Sequence, residues 1–270
     1  MKILLNKNDL NEALYSHSSL GFVPTMGSLH EGHISLIKKS MKQCKKTLVS
    51  IFINPTQFNN KNDYKNYPKN YKRDLSILRN LNVDFVFIPK KSEIYNYKRI
   101  KKIKIPEKHK IMCAKYRKGH FEGVIDVMDR LTKIIKPKKI FMGEKDFQQL
   151  YLVKKFIEKN YKSRIISCKT IRDKNKLALS SRNILLNESE LSIARQLSKN
   201  IYFIKKKLNK IKDKKKFLLK KKNEIKKIYN TSIEYLELRN INNLQITNNI
   251  KKSKLFIAYY LNKIRLIDNF

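Results

Sequence analysis

His30-Glu31-Gly32-His33 sets two imidazoles three residues apart, a spacing that places both on one face of a helix. Before it stands a short apolar run, Leu20-Gly21-Phe22-Val23-Pro24, and then Thr25-Met26-Gly27-Ser28-Leu29. A strand that breaks at Pro and Gly and enters a helix near Gly32 gathers backbone N–H groups, the positive end of a helix dipole and both imidazoles around one point. That is an anion site, and phosphate is the anion it suits. Imidazole donates to phosphate oxygens, more strongly when protonated. A metal reading needs a third ligand, and the chain offers none at helical spacing and no Cys cluster. Chance explains a bare H-x-x-H, but not one set in a Gly-punctuated strand-to-helix turn.

Other segments carry chemistry too. Gly143-Glu144-Lys145-Asp146 follows an apolar run at 139–142. Gly permits close backbone approach, Lys145 offers a cation to phosphate, and Asp146 can accept from ribose hydroxyls or cap the next helix. A plain strand-to-helix turn reads the same way, and both can hold together. Leu179-Ser180-Ser181-Arg182 supplies two hydroxyls and a guanidinium, groups that hold phosphates. Taken alone, it reads first as cap-and-turn chemistry ahead of a helix at Glu188. Gln57 and Gln149 each carry an amide that both donates and accepts, suited to a ligand with hydroxyls and a carboxylate. A lone Gln in a loop is ordinarily just solvated.

These residues need a scaffold that brings chain ends together. Apolar runs at 20–24, 47–53, 84–88, 139–142 and 164–168 read as short buried strands, with helical patterns at 34–43, 69–81, 124–135 and 146–160 between them. Such alternation predicts an α/β fold, a parallel sheet wrapped by helices, with ligands beyond the carboxyl ends of the strands. The motifs fall at those ends. Residues 98–105 read as a strand outside the alternation and 106–119 as a loop over the sheet. From about residue 177 the pattern changes. Residues 188–229 read as two helices interrupted near 209–213, and strand signals follow at 233–239, 255–260 and 264–268. The expected division is a sheet domain over 1–176 and a smaller α+β domain over 177–270.

Composition bounds the rest. The chain has 270 residues, long enough for a sizeable core, and no apolar run approaches the ~18 residues a membrane span needs. Its first residues have too short an apolar core for a secretory signal. Cys44, Cys113 and Cys168 are odd in number and in no metal-type spacing, which fits a reducing cytoplasm. Lys and Arg total 62 against 22 Asp and Glu, a formal +40. Charge alone points to nucleic acid. Yet only 11 of the 62 are Arg, the lysines are spread along the chain, and Asn, Ile, Tyr and Phe are abundant beside them. These are residues with A/T-rich codons, so lysine drift tolerated on solvated faces explains the excess, and no nucleic-acid partner is expected.

With these segments quoted, a resemblance emerges. Residues 24–33, 49–58, 143–149 and 179–183, with Gly119-His120-Phe121-Glu122-Gly123-Val124 and Arg265-Leu266-Ile267-Asp268-Asn269, resemble the pantothenate synthetase family in order along nearly the whole chain. A single H-x-G-H is shared with many nucleotidyltransferases; four long motifs in order are specific. The resemblance implies a Rossmann-like nucleotidyltransferase domain of the H-x-G-H type binding ATP and pantoate, a C-terminal α+β lid that closes over ATP, Mg²⁺ dependence and a cytoplasmic homodimer. The implied reaction joins pantoate to β-alanine through a pantoyl adenylate, releasing AMP and pyrophosphate. The implied ATP contacts are Met26, Gly27, Ser28, Leu29, His30, Glu31, Gly32, His33, Gly143, Glu144, Lys145, Asp146, Ile171, Leu179, Ser180, Ser181 and Arg182. His33 is the implied catalytic residue, with backbone donors at 26–29 and 32. Gln57 and Gln149 take pantoate, Gln57 also borders β-alanine, and no metal ligand is assigned. Arg117 and His120 either approach the substrates or brace their loop. An adenylyltransferase that stops after nucleotidyl transfer is the alternative enzyme, opposed by the Gln57 and Gln149 segments. The family commonly has Gly where this chain has Lys176, and a Gly before the terminal motif is also missing. These departures bear on loop conformation and stability, since Gly often supplies positive φ.

Overall fold

In the computed structural model, which describes residues 1–15, 19–59, 61–96 and 103–270, six short strands form one parallel sheet. They are β1 (Lys2–Leu4), β2 (Leu20–Thr25), β3 (Lys46–Ile51), β4 (Phe85–Phe87), β5 (Lys139–Gly143) and β6 (Arg164–Cys168), in the order β1-β4-β3-β2-β5-β6. Strands covered on both faces need continuous apolar runs. Phe22, Val23, Leu48, Val49, Val86, Phe87 and Ile140 are accordingly shut off from solvent. The helices are α1 (Lys7–Leu14), α2 (Glu31–Gln43), α3 (Lys61–Lys65), α4 (Tyr71–Asn80), α5 (Lys91–Ile94), α6 (Cys113–Tyr116), α7 (His120–Ile135) and α8 (Phe147–Asn160). From β2 the chain lays β3 and β4 to one side, then returns to put β5 on the other. The order therefore reverses between β2 and β5, the place where sheets of this kind bind ligands.

Pro24 opens that place. The Leu20 carbonyl accepts from the Lys138 amide at 2.9 Å, and the Thr25 carbonyl accepts from Phe52 at 3.0 Å. Peptide groups alternate sides along a strand, so Leu20, Phe22 and Pro24 face β5 while Gly21, Val23 and Thr25 face β3. Pro24 has no N–H to give β5. The β2–β5 register ends at Phe22, whereas β2–β3 runs on to Thr25. A crevice thus begins beside the H-x-G-H loop.

The α/β class and the five strands expected between 20 and 168 are present. Unanticipated are β1, with only Leu4 buried among its three residues, and α1. Helix α7 starts at His120 rather than 124, because Gly119 at φ +79° turns the chain into it. Of the strand expected at 98–105, residues 98–102 lie outside the described residues and 103–105 are irregular. The expected loop at 106–119 contains a 3-10 turn, Glu107–His109, and α6.

Two compact units divide the chain. Met1–Glu107, Arg117–Glu144 and Gln149–Lys169 make up the first, and Lys108–Tyr116, Lys145–Gln148 and Thr170–Phe270 the second. The second unit starts ahead of residue 177 and draws in two mid-chain segments. It carries an antiparallel sheet, β7 (Ser232–Asn240), β8 (Ser253–Leu261) and β9 (Ile264–Asn269), with helices α9 (Glu188–Lys207) and α10 (Lys214–Ile228). Leu197, Ile201, Leu208, Leu255 and Tyr259 centre its core. In α10 only Leu218 and Ile225 are buried, and most of the other positions are lysines. Among the described residues no helix is long and apolar enough to cross a membrane.

Candidate active site

In the first unit, the turn after β2 runs through Gly27 at φ +78° and Ser28 at φ +52° before α2 begins. His30 is the N-cap, and its Nδ1 accepts from the Gly32 amide at 3.0 Å. His33 Nδ1 accepts in return from the His30 amide at 3.3 Å, closing a capping box built from two imidazoles whose ring centroids lie 4.1 Å apart. An accepting Nδ1 carries no proton, so each neutral ring bears its proton on Nε2 and is a donor there. Glu31 is exposed in the first turn of the helix.

The amides of this loop have acceptors within the first unit. Gly27 donates to Thr25 Oγ1 at 3.2 Å, Ser28 and Leu29 each donate to the buried Asp74 carboxylate at 2.8 Å, and Gly32 donates to His30. These four are among the backbone N–H groups that the resemblance assigns to phosphate, and each has an intramolecular acceptor here. Beside them stand the two imidazoles and the N-terminus of α2. The Leu29 side chain is 1% exposed and belongs to the sheet core with Ile37, Val49 and Leu78.

Gln57 stands in a 3-10 turn, Pro55–Gln57, after β3. It is buried, not solvated, and its Nε2 donates to the Met26 sulfur. That contact joins the second motif to the first. Gln57 Oε1 accepts from Asn54 Nδ2 at 3.3 Å, and Asn54 Nδ2 also reaches the Gly123 carbonyl at 3.2 Å. Tyr95 donates to Asn54 Oδ1 at 2.8 Å, and burial pushes its phenol up, which keeps it a donor. His120 Nδ1 donates to the Gln57 carbonyl at 2.6 Å while Arg117 donates to His120 Nε2 at 2.8 Å. These two residues brace the Gln57 loop. Gly123 permits the approach, since a Cβ there would lie 2.4 Å from the Thr56 carbonyl oxygen. At the end of β5 stand Gly143 and Glu144, whose Oε1 accepts from Ser167 Oγ at 2.7 Å; Gln149 is half-buried on α8.

The remaining candidates belong to the second unit. The Leu179 amide donates to the Ile171 carbonyl at 3.0 Å, so these two come together across a turn. Lys176 holds that turn at φ +71°, the conformation its lost Gly would supply, and Asn262 at φ +48° does likewise between β8 and β9. Ser180 caps the 3-10 turn Ser181–Leu185 by accepting from the Arg182 amide at 3.3 Å, whereas α9 is capped by Asn187. Lys145 and Asp146 lie in the 3-10 turn before α8 with Nζ and Oδ1 3.8 Å apart.

The terminal motif secures these segments. Arg172 donates to both Asp268 oxygens at 2.7 and 2.8 Å, and Asn269 Nδ2 donates to the Lys145 carbonyl at 2.9 Å. Complete burial pushes the Asp268 carboxyl above its ordinary range against the pull of Arg172. Asp74, Asn54, Tyr95, Arg172 and Asp268 went unassigned from sequence. The terminal motif did mark Asp268, and the motif around Gln57 included Asn54.

A reversed parallel sheet with an H-x-G-H helix start beside its crevice, followed by a small antiparallel unit, defines an α/β protein of the Rossmann-like nucleotidyltransferase class. The sequence model described as Pantoate-beta-alanine ligase matches residues 2–270, and the chain belongs to that family of ligases. It is 41% identical over 284 aligned residues to "Pantothenate synthetase" of Azobacteroides pseudotrichonymphae genomovar. CFP2, covering 100% of this chain and 99% of that protein. Its fold is similar to that of pantothenate synthetase from Thermus thermophilus, with a TM-score of 0.93 at 27% identity over 100% and 99% of the two chains. A pantoate-beta-alanine ligase from Francisella tularensis, solved with "Beta-gamma ATP and Beta-alanine", gives 0.84 at 37% identity over 100% and 97%.

Proposed function

We propose that this chain condenses pantoate with β-alanine in two steps driven by ATP. The observation that carries the reading is the pair of imidazoles capping α2 at the reversal of the sheet, beside a buried Gln57. A carboxylate and an amine do not condense in water until the carboxylate has a leaving group. In the first step the pantoate carboxylate attacks the α-phosphorus in line and pyrophosphate departs, a transfer that needs positioning and charge neutralisation more than covalent help. His30 and His33 donate from Nε2 to phosphoryl oxygens, with His33 the catalytic group that stabilises the transferring phosphoryl. In the second step the β-alanine amine attacks the acyl carbon, the amide forms and AMP leaves.

Gln57 and Gln149 orient pantoate without adding a charge that would stabilise its unactivated carboxylate. Gln57 also borders β-alanine, the compound with which the Francisella tularensis ligase was solved. Lys145, Ser180, Ser181 and Arg182 hold the outer phosphates; Gly143, Glu144, Asp146, Ile171 and Leu179 line the nucleotide. Magnesium enters as MgATP: among the described residues no group of three or more His, Cys, Asp or Glu could cage a metal, and Mg²⁺ favours phosphate oxygens and water. The protein in this reading works in the cytoplasm as a homodimer.

The test is release of AMP and pyrophosphate that requires both pantoate and β-alanine. His33→Ala is expected to lower turnover by orders of magnitude with the fold intact. Near-normal adenylate formation by that variant would remove His33 from the chemistry. Adenylate without amide in the wild type would instead mark an enzyme that stops at nucleotidyl transfer.

A further inference from the structure

Asp74 lies in the first turn of α4, 45 residues beyond the H-x-G-H loop it touches, and is 1% exposed. Its Oδ2 accepts from the Ser28 amide and its Oδ1 from the Leu29 amide, both at 2.8 Å. One carboxylate thereby fixes two consecutive peptide planes. Those planes belong to two successive left-handed residues, Gly27 at φ +78° followed by Ser28 at φ +52°. An L side chain keeps such a conformation only where its surroundings impose it. The next residue but one after Ser28 is His30, whose cap sets the direction of α2 and, with His33, of both rings.

The helix that carries Asp74 is itself anchored. Leu78, one turn further along α4, is fully buried in the same core as the Leu29 side chain. Gly27 faces the carboxylate too, since a Cβ there would lie 2.9 Å from Asp74 Oδ2. Nothing in the proposed chemistry uses a carboxylate at this point, and its two oxygens point at backbone, not at a ligand position.

We infer that Asp74 is a positioning residue for the phosphoryl-transfer step: it clamps the left-handed turn so that the His30 and His33 rings stand at a fixed place beside the crevice. This rests on the proposed role of those rings. A displacement of about 1 Å in a positioning group can cost ~100-fold in rate.

The experiment compares Asp74→Asn with two other variants. Asn preserves the volume but meets one of the two amides with an N–H of its own. Pantoate-dependent exchange of pyrophosphate into ATP is expected to fall ~100-fold, the ATP KM to rise and the β-alanine KM to hold, since the Gln57 loop is braced separately. Hydrogen exchange at the Ser28 and Leu29 amides is expected to quicken. Gly27→Ala crowds the same carboxylate from the other side, should share this signature, and carries the test if Asp74→Asn does not fold. Leu10→Ala removes a fully buried side chain of α1, outside the core that Leu29 and Leu78 share; it should lower the melting temperature while leaving pyrophosphate exchange near wild type. The inference is overturned if Asp74→Asn keeps its exchange rate while the two amides open, or if it loses every parameter in parallel with Leu10→Ala. A wild type inactive with pantoate, or an active His33→Ala, would sink the proposed function instead. Amide exchange would still report on the clamp.

Discussion

Replacing Asp268 by Asn probes how firmly the last strand holds the turn between Ile171 and Leu179. The carboxylate is 5% exposed and accepts from Arg172 Nη1 and Nη2 at 2.7 and 2.8 Å and from the Asn269 amide at 2.7 Å. Asn keeps the shape but turns an N–H group toward guanidinium donors. Removing one partner of a buried ion pair costs about 3–5 kcal/mol. Two features lower the figure here. Arg172 is 20% exposed and retains the Lys176 and Asn269 carbonyls, each at 2.7 Å, with the Phe270 ring 4.2 Å from its guanidinium carbon. Burial also pushes the Asp268 carboxyl up despite Arg172, so desolvation already consumes part of the attraction. About 2–3 kcal/mol remains, a fall of roughly 5–10 °C in melting temperature for a chain of this length. Thermal and urea unfolding measure it, and the ATP KM should rise because Arg172 adjoins Ile171. The double variant Arg172→Met with Asp268→Leu should recover most of the loss, since apolar replacement of a whole buried pair is nearly neutral. A change for Asp268→Asn within ~0.5 kcal/mol of wild type, the range of ordinary surface substitutions, would refute the reasoning. So would a double variant no more stable than the single.

Lys205 is half-buried near Lys254, and burial brings its pKa down to about 8 from 10.5. Between those values the unfolded chain binds more protons than the folded one, so wild-type stability rises with pH through that window. Lys205→Met should therefore be more stable than wild type at pH 7, with an advantage that shrinks towards pH 10; parallel melting curves at every pH would exclude this account. Gln57→Ala should raise the pantoate KM about tenfold, the loss of roughly one buried hydrogen bond to ligand, and more than it raises the ATP KM. Steady-state kinetics with each substrate varied would show the reverse order if Gln57 serves the nucleotide.

The sheet was legible because a strand buried on both faces can only be written as an apolar run, as in Leu48, Val49 and Ile51. β1 was not, because a three-residue strand with one buried side chain leaves no period to read. The left-handed turn at residue 176 was foreseeable from the Gly it lacks, and Lys176 does adopt φ +71°. The fate of the loop amides was hidden. Whether the Ser28 N–H serves a ligand or Asp74 depends on a residue 46 positions away, and hydrogen bonds from side chain to backbone impose no residue type on the backbone side. Likewise Ser180 is a cap by geometry, and the hydroxyl chemistry that suggests phosphate is the same chemistry that caps a turn.

Four of the candidate segments are held from elsewhere in their own unit. Asp74 takes the amides of 28 and 29, His120 the carbonyl of Gln57, Asn269 the carbonyl of Lys145, and Asp268 holds Arg172 beside Ile171. Three of these braces bind backbone, and the fourth, Asp268 on Arg172, joins two side chains. An enzyme that works by neutralising phosphoryl oxygens gains little from a donor that wanders, because the benefit of a fixed dipole lies in its not having to reorganise. The braces are therefore as much a part of the site as the imidazoles. Their loss should appear in turnover before it appears in the fold wherever the braced backbone, as at Ser28, would not hold its conformation unaided.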